Sequence, residues 1–259
     1  MFANDHRGWM PSVGGSKDYV SDSSGAPRVT TDVTQLRPSA NWIAWQRVID
    51  PVTGTNIAGT SDQNITYSGL APYLGAKPVE HKTPDGANDV NRMLDSVFRC
   101  PSDNLQQRPN ADPTKAVYRY SYSMNELYAA PVASVPTPTS DGATYKASDR
   151  YGGSTFNGKY TSIKGISDKI LFICEDETTL DDGQGRYNPN QWMSGRVNAV
   201  ASRHQTSRAA RSAQIANSQN VDAYGNVAFA DGHGAFISRL DALRGIHTGR
   251  PDPDPKPPY

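Results

Sequence analysis

The run Asn226-Val-Ala-Phe-Ala-Asp-Gly-His-Gly-Ala-Phe-Ile237 constrains this chain more than any other stretch. Asp-Gly between alternating apolar residues signals a two-residue β-hairpin, because both central positions of a type I′ turn need positive φ. With Asp231 and Gly232 at those positions, Val227 faces Phe236 and Phe229 faces Gly234. Val227, Phe229 and Phe236 then share one packed face.

The remaining segments predict helices and loops first, strands later. Residues 1–34 are rich in Gly, Ser, Asp and Thr and read as extended loop. Ser39 is placed to cap a helix over Ala40–Ile49, with Trp42, Ile43, Trp45 and Val48 as anchors. Asp62 heads a second short helix carrying Ile65, Leu70 and Tyr73-Leu74, with Pro72 near its start or breaking it. Val90, Met93 and Leu94 mark a third, which runs into Val97-Phe-Arg-Cys-Pro101.

Strands are predicted near 117–124, where Tyr alternates, and near 169–174, where Lys169-Ile-Leu-Phe-Ile-Cys174 is a continuous apolar run. The hairpin adds strands near 225–230 and 233–238, and Val197–Ser202 is a candidate short strand. Ser238-Arg-Leu-Asp241 has the pattern of a cap opening a short helix through Leu240 and Leu243. Residues 250–259 alternate Pro with polar residues and read as a polyproline II tail. Helices first and mostly antiparallel strands later is the α+β pattern. The division is a domain over 1–249, with a helical and loop half at 34–100 and a β-rich half at 117–249, followed by the Pro-rich tail.

Composition narrows the function classes. Twenty-six basic residues balance 26 acidic ones, so no charge excess draws the chain to nucleic acid or to an anionic membrane surface. Mean hydropathy is −0.65, low for a compact enzyme. Thirteen Tyr against six Phe indicate a wet exterior with amphipathic anchors. No stretch reaches 18 consecutive apolar residues, and the first residues are too polar for a secretory leader. No G-x-S-x-G, H-E-x-x-H or P-loop pattern occurs, and the reading is not an enzyme.

Three sets of residues could carry chemistry. Asp231 and His233 have D-x-H spacing, with His204 as a third metal ligand, although Asp-Gly is also what the turn itself demands. Glu175, Asp176, Glu177, Asp181 and Asp182 crowd carboxylates onto a Gly-containing segment, which suits Ca²⁺ or a solvated acidic loop. Cys100 and Cys174 are either reduced or joined. In an exported protein their disulfide would contribute roughly 4–5 kcal/mol by closing a long loop. Neither lies in a C-x-x-C pair, so spacing gives no support to zinc. Exposed aromatic residues also suit a glycan platform.

Several segments, in order, resemble one family, the prepilin-type processing-associated H-X9-DG group. They are Asn4-Asp-His-Arg-Gly-Trp-Met-Pro11, Leu70-Ala-Pro-Tyr-Leu74, Phe98-Arg-Cys-Pro-Ser-Asp103, Tyr120-Ser-Tyr-Ser-Met-Asn125 and Ile166-Ser-Asp-Lys-Ile-Leu-Phe-Ile-Cys-Glu175. Arg203-His204 followed by Asn226-Val-Ala-Phe-Ala-Asp231-Gly232 resembles the naming motif. The family sets nine residues between its His and its Asp-Gly, whereas residues 205–230 intervene here. The family's N-terminal signal and long hydrophobic helix do not appear in the sequence.

The resemblance implies a pilin- or pseudopilin-like globular domain with an antiparallel sheet, short helices and long surface loops. It implies a structural subunit of an exported filament, type II secretion pseudopilus or cell-surface assembly. Its partners would be copies of itself or related subunits. Its place would be extracellular, cell-surface or periplasmic, with the precursor anchored in the inner membrane by a helix upstream of residue 1. Some related pseudopilins hold calcium in a C-terminal loop, which adds to the Glu175–Asp182 reading. The alternative is a soluble or surface module that binds glycan or calcium on the same fold.

Overall fold

A computed structural model of the chain describes residues 2–12, 19–29, 40–43, 68–75, 97–103, 120–128, 137–138, 144–145, 158–176, 179–180, 183–185, 187, 198–205 and 223–249. The strands are β1 (Tyr19–Ser21), β2 (Pro27–Val29), β3 (Tyr122–Asn125), β4 (Thr137–Pro138), β5 (Thr144–Tyr145), β6 (Ile170–Cys174), β7 (Gln184–Gly185), β8 (Tyr224–Phe229) and β9 (Gly234–Ser238). The helices are α1 (Phe2–Asp5), α2 (Arg239–Ala242) and α3 (Gly245–Thr248). The class is α+β. A five-stranded sheet in the order β7-β3-β6-β8-β9 dominates, and β1-β2 and β4-β5 form separate two-stranded pairs. The neighbours β3, β6, β8 and β9 are antiparallel. The expected antiparallel sheet gains one strand that the sequence did not show, β7, which runs parallel to β3 at the edge and makes the sheet mixed.

The apolar run predicted as a strand is the central strand β6, and a bulge explains how it serves two cores. Ile170 faces Phe229 but Phe172 faces Ala228, so one extra residue is inserted between them. A bulge of this kind sets two consecutive side chains on the same side. Leu171 and Phe172 accordingly pack with Trp42, Phe98, Tyr120 and Met124, whereas Ile170 and Ile173 pack with Val227, Phe229, Tyr187 and Leu243. Among the described residues Trp42 is the largest fully buried side chain.

The hairpin exists, but its register is one residue off the prediction. Asn226 faces Phe236 and Val227 faces Ala235. The Gly232 N–H bonds back to the Phe229 carbonyl at 3.0 Å, and Phe229 N–H to the His233 carbonyl at 2.9 Å. Gly232 has φ 95°, and Asp231 is not among the positive-φ residues. The loop is thus three residues, Ala230-Asp231-Gly232, with only the last in the left-handed region. A one-residue slip turns every side chain to the opposite face. Val227 and Phe229 are buried as expected, but Phe236 is 49% exposed and does not share their face.

The predicted helix over Ala40–Ile49 is also corrected where it is described. Asn41 bridges Ser12, and Trp42 N–H bonds the Ser12 carbonyl at 2.9 Å. The Trp42 indole then reaches the Gly183 carbonyl at 3.0 Å, so Ala40–Ile43 is a non-helical, buried segment. Residues 44–49, 76–96 and 250–259 lie outside the described residues, with the third predicted helix and the Pro-rich tail. Of the second predicted helix, Asp62 and Ile65 lie outside the described residues, and its described part near residue 70 holds a 3-10 turn, Ala71–Leu74, with Pro72 in its first positions.

The N-terminal segment read as loop holds α1 and the β1–β2 hairpin. Its turn is built by Asp22, whose carboxylate accepts from the Ser24 and Ala26 amides. Ser238 caps α2 as predicted, accepting the Asp241 N–H at 3.0 Å. Of the predicted Val197–Ser202 strand, Val197 lies outside the described residues, and residues 198–202 hold a single bridge, Val200 to Glu175.

Candidate functional site

Three chain segments meet at the Tyr122 end of β3. The first is the turn after Val97-Phe98. Asp103 N–H closes it on the Cys100 carbonyl at 2.9 Å, and the Cys100 N–H donates to Ser121 Oγ at 3.0 Å. The Ser121 hydroxyl in turn donates to Asp103 Oδ2, so the turn is locked to the start of β3. The second segment is the end of β6, where Cys174 faces Tyr122 across the sheet. The third is Ala201–Gln205, whose Ala201 N–H bonds the Cys174 carbonyl and whose Gln205 N–H turns back on Ser202. That turn delivers Arg203 and His204.

Cys100 Sγ lies 3.1 Å from His204 Nε2, and Cys174 Sγ lies 3.8 Å from the same atom. The three donor atoms all fall within 4.8 Å of one another. Arg203 donates through Nη1 to Cys174 Sγ at 3.1 Å and through Nη2 to the Glu175 carbonyl. Both cysteines are buried free thiols, and His204 is half-buried.

The two thiols titrate as a pair. The hydrogen bond from Cys174 holds the Cys100 thiol well below its ordinary range, with the Ser102 amide, His204 and Arg203 adding to it. The proton left on Cys174 is held up by that same bond and by burial. Burial and the two neighbouring sulfurs push the Tyr122 phenol up to about 12. The arrangement can hold a thiolate, close a disulfide or bind a soft or borderline cation.

The structure brings Cys100 and Cys174 together, the pair that the sequence offers as reduced or joined, and leaves them as free thiols. It adds His204 to them, whereas the sequence pattern groups His204 with Asp231 and His233. Those two stand instead at the tip of the hairpin, where His233 Nδ1 meets Asp231 Oδ1 at 2.6 Å and the imidazole stacks on Phe229 at 4.3 Å. Among the described residues, Cys100, Cys174 and His204 are the one group of three with metal-ligand character. Asn226 is exposed on the outer face of β8.

The acidic segment is not a solvated loop where it is described. Glu175 and Asp176 are buried. Asn198 donates to the Glu175 carboxylate, and Arg239 donates to Asp176 Oδ2. Asp181 and Asp182, the other two proposed calcium ligands, lie outside the described residues.

Sequence reasoning missed Arg203, Arg239, Ser121 and Asp103 as parts of this neighbourhood. The usual signal for a Cys/His site is short spacing. Here Cys100 and His204 are 104 residues apart and Cys174 and His204 are 30 apart, so only the sheet pairing unites them. Comparisons with protein-family models, with curated proteins and with solved structures each find no match.

Proposed function

We propose that this chain is the outer globular domain of a pilin- or pseudopilin-like subunit that acts by assembling with copies of itself or with related subunits. The observation that carries the reading is the outer edge of the sheet. β9 is its last strand, and among the described residues no strand pairs with its outer side. An open edge offers a row of backbone donors and acceptors to another chain. Beside it, Tyr224 and Phe236 are 43% and 49% exposed, with ring centroids 5.8 Å apart. Exposed aromatic pairs anchor protein interfaces. A net charge of zero adds no general repulsion between copies. The order of segments resembling the prepilin-type group supplies the kind of assembly.

In this reading an upstream apolar helix bundles in the filament core and this domain makes the outer contacts. The test is the native coding sequence ahead of residue 1. A short basic leader followed by about 20 apolar residues is the expected result. A stop codon in frame directly ahead of Met1 overturns the anchored-subunit reading.

A further inference from the structure

We propose that Cys100, Cys174 and His204 form a binding site for a thiophilic divalent cation of the Zn²⁺ class. The proposal is independent of the assembly role. It rests on the convergence of three donors from three separate segments. Zinc bonds thiolate sulfur at about 2.3 Å and imidazole nitrogen at about 2.0–2.1 Å in tetrahedral sites. Those lengths set neighbouring sulfur and nitrogen donors about 3.5 Å apart. The two observed sulfur-to-nitrogen distances, 3.1 and 3.8 Å, bracket that value. A disulfide accounts for two sulfurs meeting. It gives no reason for one imidazole nitrogen to approach both.

The surroundings suit such a centre. Two thiolates and a neutral imidazole balance a dication. The two ligating sulfurs are buried, and with both deprotonated the metal and its three protein donors carry no net charge. The guanidinium of Arg203 donates to Cys174 Sγ, as an outer partner of a ligating sulfur does. The Ser121 hydroxyl fixes the Cys100 backbone. The half-buried His204 side gives a route of entry. Three protein donors leave the fourth tetrahedral position to water or to an outside donor. A bound ion would tie the turn after Val97-Phe98 to the end of β6 and to the Ala201–Gln205 turn.

The test uses the full chain, reduced and kept anaerobic, titrated with Co²⁺ and then Zn²⁺. The expected result is a saturable thiolate-to-cobalt absorption at one equivalent, abolished by one equivalent of Zn²⁺, with a rise in melting temperature that a chelator reverses. Cys100→Ser and Cys174→Ser should each lose the absorption while keeping the far-ultraviolet dichroism of the parent. If either variant fails to fold, His204→Gln carries the test. Its ring is half-exposed, and cobalt affinity should fall by more than about tenfold. A reduced, folded parent that gives no thiolate-to-cobalt absorption overturns the proposal. So does an unchanged cobalt spectrum and affinity in His204→Gln. A Cys100–Cys174 disulfide that persists in the folded chain under strong reductant overturns it as well.

Discussion

Arg239 and Asp176, 63 residues apart in sequence, form an ion pair inside the protein. Their side chains are 1% and 4% exposed. The Arg239 Nε also donates to the Val200 carbonyl at 2.7 Å, and Nη2 lies 3.4 Å from Ser202 Oγ. One guanidinium thus joins α2, the segment just beyond β6 and the segment that leads into His204. Removing one member of a buried pair leaves the other charge without compensation and costs about 3–5 kcal/mol. Arg239→Met should lower the urea-unfolding free energy by that amount. Arg239→Met with Asp176→Leu should recover most of it. Strictly additive losses in the double-mutant cycle would mean that the two side chains do not depend on each other.

Hairpin register makes a second prediction. Phe229 is buried beside Ile170 and Val227, so Phe229→Ala should cost about 3–5 kcal/mol in chemical denaturation. Phe236 lies on the solvent side, and Phe236→Ala should stay within about 0.5 kcal/mol. In the assembly reading, Phe236→Ala weakens contacts between copies instead. Equal losses for both substitutions would restore the register in which they share a face.

That slip locates what the sequence could tell and what it could not. Alternation of apolar residues and the Asp-Gly pair were enough for the existence of β8 and β9. The choice between a two-residue and a three-residue loop is made by Gly232 alone adopting positive φ, and both loops accept the same Asp-Gly. The central strand β6 was legible as an unbroken apolar run. Its bulge was not, because the run is apolar on both faces and carries no periodic mark. The non-helical path of Ala40–Ile43 is a tertiary effect. Trp42 and Ile43 satisfy a helical pattern, but the bond to Gly183, 141 residues away, takes the indole elsewhere. The Cys100–Cys174 pairing could be considered from the sequence, but the approach of His204 to both sulfurs could not, since it follows tertiary packing rather than spacing.

The loop itself supplies a third prediction. Nothing lies within 4 Å of a side-chain carbon added at Gly232, so the cost there is backbone strain alone. Gly232→Ala should destabilise by roughly 1–2 kcal/mol. Asp231 has no such strain to relieve. Its carboxylate accepts the His233 N–H at 3.1 Å, and Asp231→Asn, which keeps an acceptor there, should be the milder change in a thermal melt. A larger loss for Asp231→Asn than for Gly232→Ala would contradict this loop geometry.

The attachment of α1 should depend on pH through His6. Its imidazole stacks on Phe2 at 3.9 Å, and its Nδ1 meets Ser21 Oγ of β1 at 2.6 Å. Burial lowers its pKa below the ordinary 6.5, and the nearby Asp5 opposes that only in part. A group whose folded pKa is lowered binds its proton more readily in the unfolded chain. The contribution is therefore complete above pH 6.5 and is lost as pH falls through the lower folded value. The stability advantage of the parent over His6→Gln, measured by urea unfolding, should be larger at about pH 7.5 than at about pH 5. The His6 ring signals in an NMR titration should have their midpoint below 6.5. A midpoint above that value, or an advantage that grows on acidification, would mean that the charged imidazole is the form α1 and β1 prefer.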